Sequence, residues 1–337
     1  MEVTIRDVAK RAGVSIATVS VVINKTRPVN DTLRQRVFDA IRDLDYKPNV
    51  LAQSLRSRRS RLLGLVLTDI RNPFMAEEIV GLEEGAASLG YQVIIHNTGE
   101  VPERIDQAFQ DLMAARVAGL IIATARVGDL SLLKQIQARK TPYVFINRTP
   151  RPGMDYYVGT DNVAIGQLAA RHLLSLGHRR LACIAGASCH SSSWERYSGY
   201  LAALTEAGVE VPNDYVQWTD GFSLDGGQMA TRLLLQLPDP PTAIFVASDI
   251  MAVGAIRAIQ EAHLRVPDDV SIVGVDNINL SDCFLVPLTT VNQPKQEMGS
   301  EAAKMLVGRI AGRTDYPTSV IFTPKLVVRQ SCGSLRR

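Results

Sequence analysis

The sequence predicts an α/β protein with a small helical domain at its N-terminus, followed by a two-lobed core of parallel β-sheets. Three observations lead to this fold class. The first 61 residues are basic and carry helix signals, the remainder alternates short apolar runs with helical stretches, and a strand–helix pattern recurs along that remainder. A chain of 337 residues is long enough for two or three domains, each with its own apolar core.

The composition argues against several other classes of protein. Hydrophobic residues make up 46% of the chain and charged residues 21%, as in ordinary globular proteins. No run of eighteen apolar residues occurs, and the opening MEVTIRDVAKRAGV carries a charge every few residues, so we expect neither a membrane span nor a secretory signal. The cysteines at 183, 189, 283 and 332 form no CxxC pair. We therefore expect a cytoplasmic protein that needs no metal or other cofactor.

The positive charge is concentrated at the start of the chain. Residues 1–61 contain 13 Lys and Arg against 6 Asp and Glu, whereas the rest contains 24 against 28. Such a basic segment is either a solvated surface or a surface for the phosphates of a nucleic acid. Charge alone leaves both interpretations open.

The first predicted helix has a clear beginning and a clear end. Thr4 can cap its N-terminus, with Asp7 at the third helical position, as in a capping box. Val8 and Ala12 then form an inward face, and Gly13 ends the helix.

Two further short helices follow the glycine turn. Ser15 can cap a second helix, in which Val19, Val22 and Ile23 point inward. The outward positions of that helix are Ile16, Ala17, Ser20 and Val21. Asn30 can cap a third helix. Its closing face is expected from Leu33, Val37, Phe38, Ile41 and Leu44. This arrangement is typical of a helix-turn-helix, although a plain three-helix bundle fits the same pattern.

A short cationic segment, YKPNVLAQSLRSRRSR, follows these helices. Pro48 and Asn49 suit a helix start, but only about two turns precede the serine and arginine run. A helix this short is marginal alone in water, and a partner that carries phosphates can order it.

From residue 62 onward the chain reads as alternating strands and helices. The expected strands are LLGLVLTD, YQVIIHNT, GLIIAT, PYVFIN, YYVGTD, RLACIAG, YVQWTD, AIFVASD and VSIVGVD. Continuous apolar strands separated by helices indicate parallel sheets covered on both faces. A weak repeat, in which RRSRLLGLVL and SLGYQVIIHN are echoed by GHRRLACIAG and EAGVEVP, suggests two similar lobes with a boundary near Asp161.

Polar residues gather where these strands end. They are Asp69, Asn97, Thr124, Asn147, Asp161, Asp249 and Asp276. Ligands of open α/β sheets bind at the carboxyl ends of strands, so a cleft between two lobes would bring such groups around a small molecule. Taken singly, each of these residues also fits the role of a helix cap.

The segments TIRDVAKRAGVSIATVSVVINKTRPV and LDYKPNVLAQSLRSRRSRLLGLVLTDIRNPF resemble the head, hinge and first core strand of the lactose-repressor family of bacterial transcription regulators. The head is most similar to the purine-repressor type. The resemblance implies a periplasmic-binding-protein-like core with two lobes. It also implies a homodimer whose heads enter successive major grooves of double-stranded operator DNA, while paired hinge helices open the minor groove between them.

The same resemblance assigns roles in DNA binding. It implies base reading by Ile16, Ala17 and Val21, phosphate contacts by Thr18, Ser20, Asn24 and Arg27, and minor-groove contacts by Ala52 and Leu55 in the hinge. Short side chains at the start of a recognition helix can touch base edges and thymine methyls. Many relatives carry a polar or basic residue where this chain has Val21, which cannot hydrogen-bond guanine.

The resemblance also implies a ligand site in the core. WERYSGYLAAL matches an Arg-x-x-Gly-aromatic pattern and makes Arg196 the clamp on ligand hydroxyls, with Asp276 as a second anchor. The resemblance implies that Phe74, Met75 and Phe222 pack against the ligand ring. It implies further polar contacts from His190 and Ser192. His190 stands where the purine-responsive member has another basic residue, and Asn147 replaces a more usual Asp. We therefore expect a sugar or sugar-like effector, with a purine or nucleoside as the alternative.

Other functions find little support in the sequence. It contains no GxSxG, HExxH, P-loop or GxGxxG after a strand, which argues against an enzyme. A solute-binding receptor would share the two-lobed core but not the basic head. The chain ends without a leucine heptad, so a dimer is expected rather than a tetramer. The prediction is a ligand-responsive repressor that binds a pseudo-palindromic operator.

Four segments follow from this interpretation. The expected bounds are 1–48 for the head, 49–60 for the hinge, 61–160 plus 290–318 for the first lobe, and 161–289 plus 319–337 for the second lobe.

Overall fold

A computed structural model describes residues 3–24, 27–46, 60–150 and 153–335 of the chain. It divides into two compact units, residues 1–60 and residues 61–337, which we describe separately as the head and the core.

The head contains three helices with the caps that the sequence predicts. They are α1 (Ile5–Ala12), α2 (Ile16–Asn24) and α3 (Asp31–Asp43). The Asp7 carboxylate accepts hydrogen bonds from the backbone N–H and the hydroxyl of Thr4, at 2.9 and 2.7 Å, and so closes the capping box. Ser15 Oγ accepts from the N–H of Thr18, and Asn30 Oδ1 accepts from the N–H of Thr32. Each cap satisfies a backbone donor at a helix start.

Small aliphatic residues fill the interior of the head. The buried set is Val8, Ala9, Ala12, Val19, Val22, Val37 and Ala40. Ile41 and Leu44 of the predicted third-helix face pack against this set, as expected. The expectation for Phe38 is wrong, because its side chain is 42% exposed. The core-facing stripe of α3 runs through Val37, Ala40 and Ile41, which leaves Phe38 beside that stripe rather than in it.

The core consists of strands that form two six-stranded sheets. The strands are β1 (Leu62–Leu67), β2 (Gln92–Asn97), β3 (Gly119–Ile122), β4 (Tyr143–Ile146), β5 (Tyr157–Thr160), β6 (Leu181–Ala185), β7 (Val216–Trp218), β8 (Ala243–Val246), β9 (Ser271–Asp276), β10 (Thr289–Asn292), β11 (Ser319–Phe322) and β12 (Lys325–Val327). The first sheet has the order β11-β5-β4-β3-β1-β2 and is parallel throughout. The second has the order β12-β10-β9-β8-β6-β7, and only β12 pairs antiparallel. All nine strands expected from the apolar runs are present.

Helices cover both sheets. They are α4 (Pro73–Ser88), α5 (Pro102–Ala114), α6 (Leu130–Ala138), α7 (Asn162–Ser175), α8 (Ser191–Glu206), α9 (Leu224–Leu235), α10 (Asp249–Glu261) and α11 (Lys295–Ile310). Because the connections are strand–helix–strand, the N-termini of these helices and the carboxyl ends of the strands meet at one edge of each sheet.

Glycines allow paired helices to approach closely in both lobes. A Cβ at Gly81 of α4 would overlap the backbone of α11, and one at Gly166 of α7 would overlap the backbone of α8. The same holds for Gly227 of α9 against α10. These crossings fix helices whose first turns carry side chains toward the cleft between the lobes.

The segments that complete each lobe differ from the expected bounds. Residues 319–322 were expected in the second lobe, but β11 pairs with β5 in the first sheet. Its Val320 and Phe322 pack on the apolar core of that lobe. Residues 290–292 were expected in the first lobe, but β10 pairs with β9 in the second sheet, where Val291 is buried in the core. The chain therefore crosses between lobes after β5, after β10, and between β11 and β12.

Candidate functional site

The outward face of α2 carries small side chains, as the sequence predicts. Ala17 is exposed and Val21 is half-buried. Ile16 is also half-buried, but it packs against the head core and so presents only part of its surface. Thr18 shares a 2.9 Å hydrogen bond with the hydroxyl of Ser15.

The remaining predicted DNA contacts are described only in part. Ser20 is half-buried and Arg27 is exposed. Asn24 ends α2, but its side chain lies outside the described residues. Ala52 and Leu55 of the predicted hinge also lie outside the described residues.

Several cations of the head are held by neighbouring acceptors. Arg11 forms a 2.7 Å ion pair with Asp43, and Arg36 donates to the carbonyl oxygen of Ala12 at the end of α1. Both bonds tie α1 to α3, while α2 packs against them through the shared apolar core.

A cavity of about 310 Å³ lies between the two lobes of the core. The loops after β1, β2, β4, β7 and β8, the end of β9 and the first two turns of α4 and α8 line it. Six of the seven predicted ligand contacts reach it, namely Phe74, Met75, Ser192, Arg196, Phe222 and Asp276. Of the polar strand-end residues, Asp69, Asn147 and Asp276 line it. Asp161 instead caps α7, where Oδ1 accepts from the N–H of Ala164.

Two hydrogen bonds fix the guanidinium of Arg196 at the cavity wall. Nε donates to Oδ1 of Asn162 at 2.9 Å, and Nη1 donates to the carbonyl oxygen of Ala247 at 2.6 Å. The side chain is buried, and burial lowers the pKa of Arg196, an effect that the charge of Asp276 opposes. The two bonds hold the planar group in one orientation.

Asp276 ends β9 in an unusual backbone conformation. Its φ is 115°, and that of Asn277 is 52°, so two successive residues lie in the left-handed region. Oδ1 of Asp276 accepts a 2.7 Å hydrogen bond from Nε2 of Gln293. Burial raises the pKa of the Asp276 carboxyl, against the positive charge of Arg196, and the nearby Asp249 raises it further. The group can therefore act as donor or acceptor toward a hydroxyl near neutral pH.

Phe222 lies among three cationic or aromatic side chains. The guanidinium carbons of Arg148 and Arg196 lie 5.4 and 5.6 Å from its ring centroid, which is cation–π distance. The imidazole of His190 stacks on the same residue with centroids 6.0 Å apart. Phe222 therefore forms an apolar wall whose position is fixed by charged neighbours.

His190 does not line the cavity, which departs from its predicted role as a ligand contact. The ring is fully buried, and Nε2 lies 3.1 Å from Oε2 of Glu100 and 3.0 Å from Nη1 of Arg148. Burial lowers the pKa of His190, and Glu100 opposes this effect. His190 thus joins the second lobe to Glu100 and Arg148 of the first, behind the cavity wall.

Glu100 and Arg148, neither of which is among the predicted site residues, form an ion pair. Nη1 of Arg148 lies 3.0 Å from Oε1 of Glu100, and both residues line the cavity. Burial alone would raise the pKa of Glu100, but the bond to His190 and the charge of Arg148 lower it to about 2. A signal existed, because each residue lies within three positions of a polar strand end.

Glu78 is another residue that sequence reasoning missed. It is buried on α4, and both of its carboxyl oxygens lie within hydrogen-bond distance of Nδ2 of Asn147, at 2.8 and 2.9 Å. Burial raises the pKa of Glu78 to about 8 despite this hydrogen bond. The surrounding EEIVGLEE reads as a charged helix and gives no hint that one of its acids is buried.

None of the helices in the described part of the chain is long and apolar enough to cross a membrane.

A helix-turn-helix head joined to a two-lobed core with a polar cleft defines a ligand-responsive, DNA-binding transcription regulator. Two family models match the chain in the same order. Residues 4–49 match the bacterial regulatory proteins of the lacI family, and residues 170–332 match a periplasmic binding protein-like domain.

Curated relatives match over nearly the full length. The chain is 39% identical to the HTH-type transcriptional regulator DegA of Bacillus subtilis (strain 168), covering 99% of both chains. It is 38% identical to the HTH-type transcriptional repressor PurR of Mannheimia succiniciproducens, covering 97% of this chain and 98% of that one. It is 36% identical to the ribose operon repressor of Escherichia coli K12, covering 97% and 99%.

The fold also matches a solved structure. The Lac repressor dimer bound to operator and the anti-inducer ONPF has a TM-score of 0.87 and 29% identity, covering 98% of this chain and 99% of that chain. The chain therefore belongs to the lacI family of bacterial transcription regulators, as the head and hinge residues predict.

Proposed function

We propose that this regulator responds to a neutral polyhydroxylated effector, a sugar or sugar-like metabolite, which binds in the cleft and changes operator binding by the dimer in the bacterial cytoplasm. The observation that carries the proposal is the internal charge balance of the cavity. Its lining carries Arg71, Arg148 and Arg196 together with Asp69, Glu100, Asp220 and Asp276.

Two of these guanidinium groups are already paired with carboxylates. Arg71 forms a 2.8 Å ion pair with Asp69, and Arg148 forms one with Glu100. Arg196 is anchored by Asn162 and Ala247 and lies close enough to Asp276 for each to influence the pKa of the other. A phosphorylated effector would compete with these carboxylates for the cations. A neutral ligand with several hydroxyls can use both partners of each pair.

The apolar walls fit the same class of ligand. Phe74 and Met75 from the first turn of α4 and Phe222 from the second lobe line the cavity. Such side chains cover the apolar C–H face of a sugar ring, while Arg196 and Asp276 take its hydroxyls. The cavity volume lies at the lower end of the range for small-molecule sites, which favours one or two sugar rings.

A purine or nucleobase is the second candidate, since one relative carries the name of a purine repressor. It would need a flat ring surface for stacking. Arg148, Arg196 and His190 already lie against Phe222, which favours the sugar.

A thermal-shift screen tests the proposal. The panel is D-ribose, D-glucose and cellobiose, the 5- or 6-phosphates of the two monosaccharides, and hypoxanthine and guanine. A ligand of the native state stabilises it by about 3 kcal/mol at one hundred times its Kd. We expect a concentration-dependent rise in Tm with a neutral sugar and none with the phosphates. A shift with only the phosphates or only the bases would overturn the proposed class.

For the DNA side, we infer that Ile16, Ala17 and Val21 read base edges. The support is the small, partly exposed surface of these positions at the start of a capped helix. Binding-site selection from a random duplex library, with wild type and Val21→Arg, tests this. Identical selected sequences would contradict a reading role for position 21.

A further inference from the structure

Lys295 is a buried lysine at the first position of α11. Its side chain is 6% exposed, although a cation at a helix N-terminus is opposed by the helix dipole. Burial of an ammonium group is costly unless acceptors surround it. Helix stability therefore does not explain the position of Lys295. The contacts of its ammonium group must offset the cost of burying it.

Three acceptors surround the ammonium group. Nζ donates to the carbonyl oxygens of Asp276 and Asn277, each at 2.8 Å, and lies 3.5 Å from Oε2 of Glu77. An ammonium group has three donors, so these acceptors account for its hydrogen-bonding capacity.

Two of the three acceptors belong to the strained end of β9. Asp276 has a φ of 115°, which non-glycine residues rarely adopt and which costs energy unless neighbouring contacts maintain it, and Asn277 follows in the left-handed region. Lys295 bonds to both carbonyl oxygens and so holds this conformation. The same conformation directs the Asp276 side chain, which lines the cavity.

The third acceptor belongs to the first lobe, as does α11 itself, which packs against α4. Glu77 lies on α4, one turn after Phe74 and Met75, which line the cavity from the first lobe. Oε1 of Glu77 also accepts a 3.2 Å hydrogen bond from the N–H of Asn279, just beyond β9. Glu77 therefore joins the helix that lines the cavity in the first lobe to the strand end that lines it in the second.

We propose that Lys295 and Glu77 are positioning residues that couple effector binding at Asp276 to the arrangement of the two lobes. Lys295 fixes Asp276 in its binding geometry, and Glu77 makes that geometry depend on where α4 lies. Because α4 and α11 pack together in the first lobe, a movement of one lobe against the other changes the distances from Lys295 to Asp276 and Asn277 and from Glu77 to Asn279. This proposal rests on the proposed function insofar as Asp276 anchors the effector.

The two residues have separable roles, which an experiment can exploit. Glu77→Gln keeps an acceptor for the N–H of Asn279 and leaves both carbonyl bonds of Lys295 in place, but it removes the charge that faces the ammonium group. Lys295→Met removes all three bonds at similar side-chain length. Matched controls on α11 are Glu297→Gln and Lys304→Met, both at exposed positions.

The measurement is the effector Kd by calorimetry, with and without an operator duplex selected from a random library. The probe is the compound of the panel above with the largest thermal shift, whatever its class. For Glu77→Gln we expect the effector Kd without operator to lie within twofold of wild type. The change in effector Kd that operator causes should be at least fivefold smaller than in wild type. For Lys295→Met we expect at least tenfold weaker effector binding. Both controls should match wild type.

A Glu77→Gln variant that retains the wild-type operator effect would overturn the coupling, and wild-type effector affinity in Lys295→Met would overturn the positioning of Asp276. Hydrogen exchange without any ligand provides a separate readout. Amides of residues 276–279 should exchange at least tenfold faster in Lys295→Met than in Lys304→Met, and equal rates would also contradict the proposal. If the probe proves to be a phosphate or a base, the proposed effector class fails, while these comparisons still decide the roles of Lys295 and Glu77.

Discussion

Nδ2 of Asn147 lies 2.8 and 2.9 Å from the two carboxyl oxygens of Glu78, which is buried on the first helix of the core. With its pKa raised to about 8 by burial, Glu78 carries a proton at neutral pH. An amide is compatible with that neutral acid, whereas an aspartate at position 147 would place a second acid against it. The identity of residue 147 therefore agrees with its buried partner.

The first prediction concerns Glu78→Gln, which removes the ionisable proton but keeps an acceptor for Asn147. In wild type the folded-state pKa lies above the unfolded value near 4.5, so the unfolded state loses its proton first as pH rises. The contribution of Glu78 to stability is full below that value and is lost between about pH 5 and pH 8. Glu78→Gln should therefore gain stability relative to wild type over this range, by a few kcal/mol at most.

Urea unfolding of both proteins at pH 5, 6.5 and 8 measures the difference. The exposed Glu103→Gln on α5 serves as the control and should track wild type. A stability difference for Glu78→Gln that does not change with pH would show that Glu78 is already ionised in the folded protein.

The second prediction concerns a fragment that begins at Arg61. The core forms its own compact unit with both sheets and the cavity, so the fragment should fold and bind effector. It should lose operator binding, because the head carries the recognition helix. Circular dichroism, effector calorimetry and operator titration at one salt concentration check the three statements. Equal operator affinity of the fragment and the full chain would contradict the role of the head.

The third prediction concerns Leu55→Ala in the predicted hinge, which lies outside the described residues. If Leu55 is a wedge between base pairs, its truncation should weaken operator binding by roughly 1 to 3 kcal/mol, because less bending of the DNA is stabilised. Binding to random duplex should change far less, since it depends on phosphate contacts. Losses of equal size on both duplexes would indicate a hinge that acts by charge alone.

The sequence predicts local elements well and long-range pairing less well. The caps at Thr4 and Asn30 need only a few neighbouring residues, and both are confirmed. The nine apolar strands likewise show directly in the sequence. The final strands do not show in the sequence, because β11 and β12 are short and half-exposed. Each joins a lobe by pairing at the edge of its sheet, and that long-range pairing is not visible in the sequence.

The same distinction applies to the cleft. The family resemblance points to Arg196 and Asp276 from motifs local in the sequence, and both line the cavity. Glu78, Lys295 and the Glu100–Arg148 pair depend on contacts between segments far apart in the chain. A charged residue in a helix has an exposed position by default, so burial of Glu78 or Lys295 is visible only once α4 and α11 are packed.

The last prediction concerns Arg196, whose guanidinium is oriented by Asn162 and Ala247 at the cavity wall. If its remaining N–H groups hold effector hydroxyls, Arg196→Ala should weaken effector binding by roughly 2 to 4 kcal/mol, the usual range for charge-assisted hydrogen bonds that leave a partner unpaired. Operator binding without effector should change little, because the predicted phosphate contacts belong to the head. The response of operator binding to effector should therefore nearly vanish.

Stability must be separated from affinity, because Arg196→Ala also leaves the carbonyl of Ala247 and the amide oxygen of Asn162 without this donor. Arg196→Lys keeps the charge but loses the planar fork, and so should recover stability more than affinity. Arg171→Ala, which removes an exposed ion pair with Glu206 beside the same helices, is the matched control. By linkage, the factor by which operator changes effector affinity must equal the factor by which effector changes operator affinity. Calorimetry of wild type and the three variants measures effector affinity with and without operator. Wild-type effector affinity in Arg196→Ala would place the regulatory site outside this cleft.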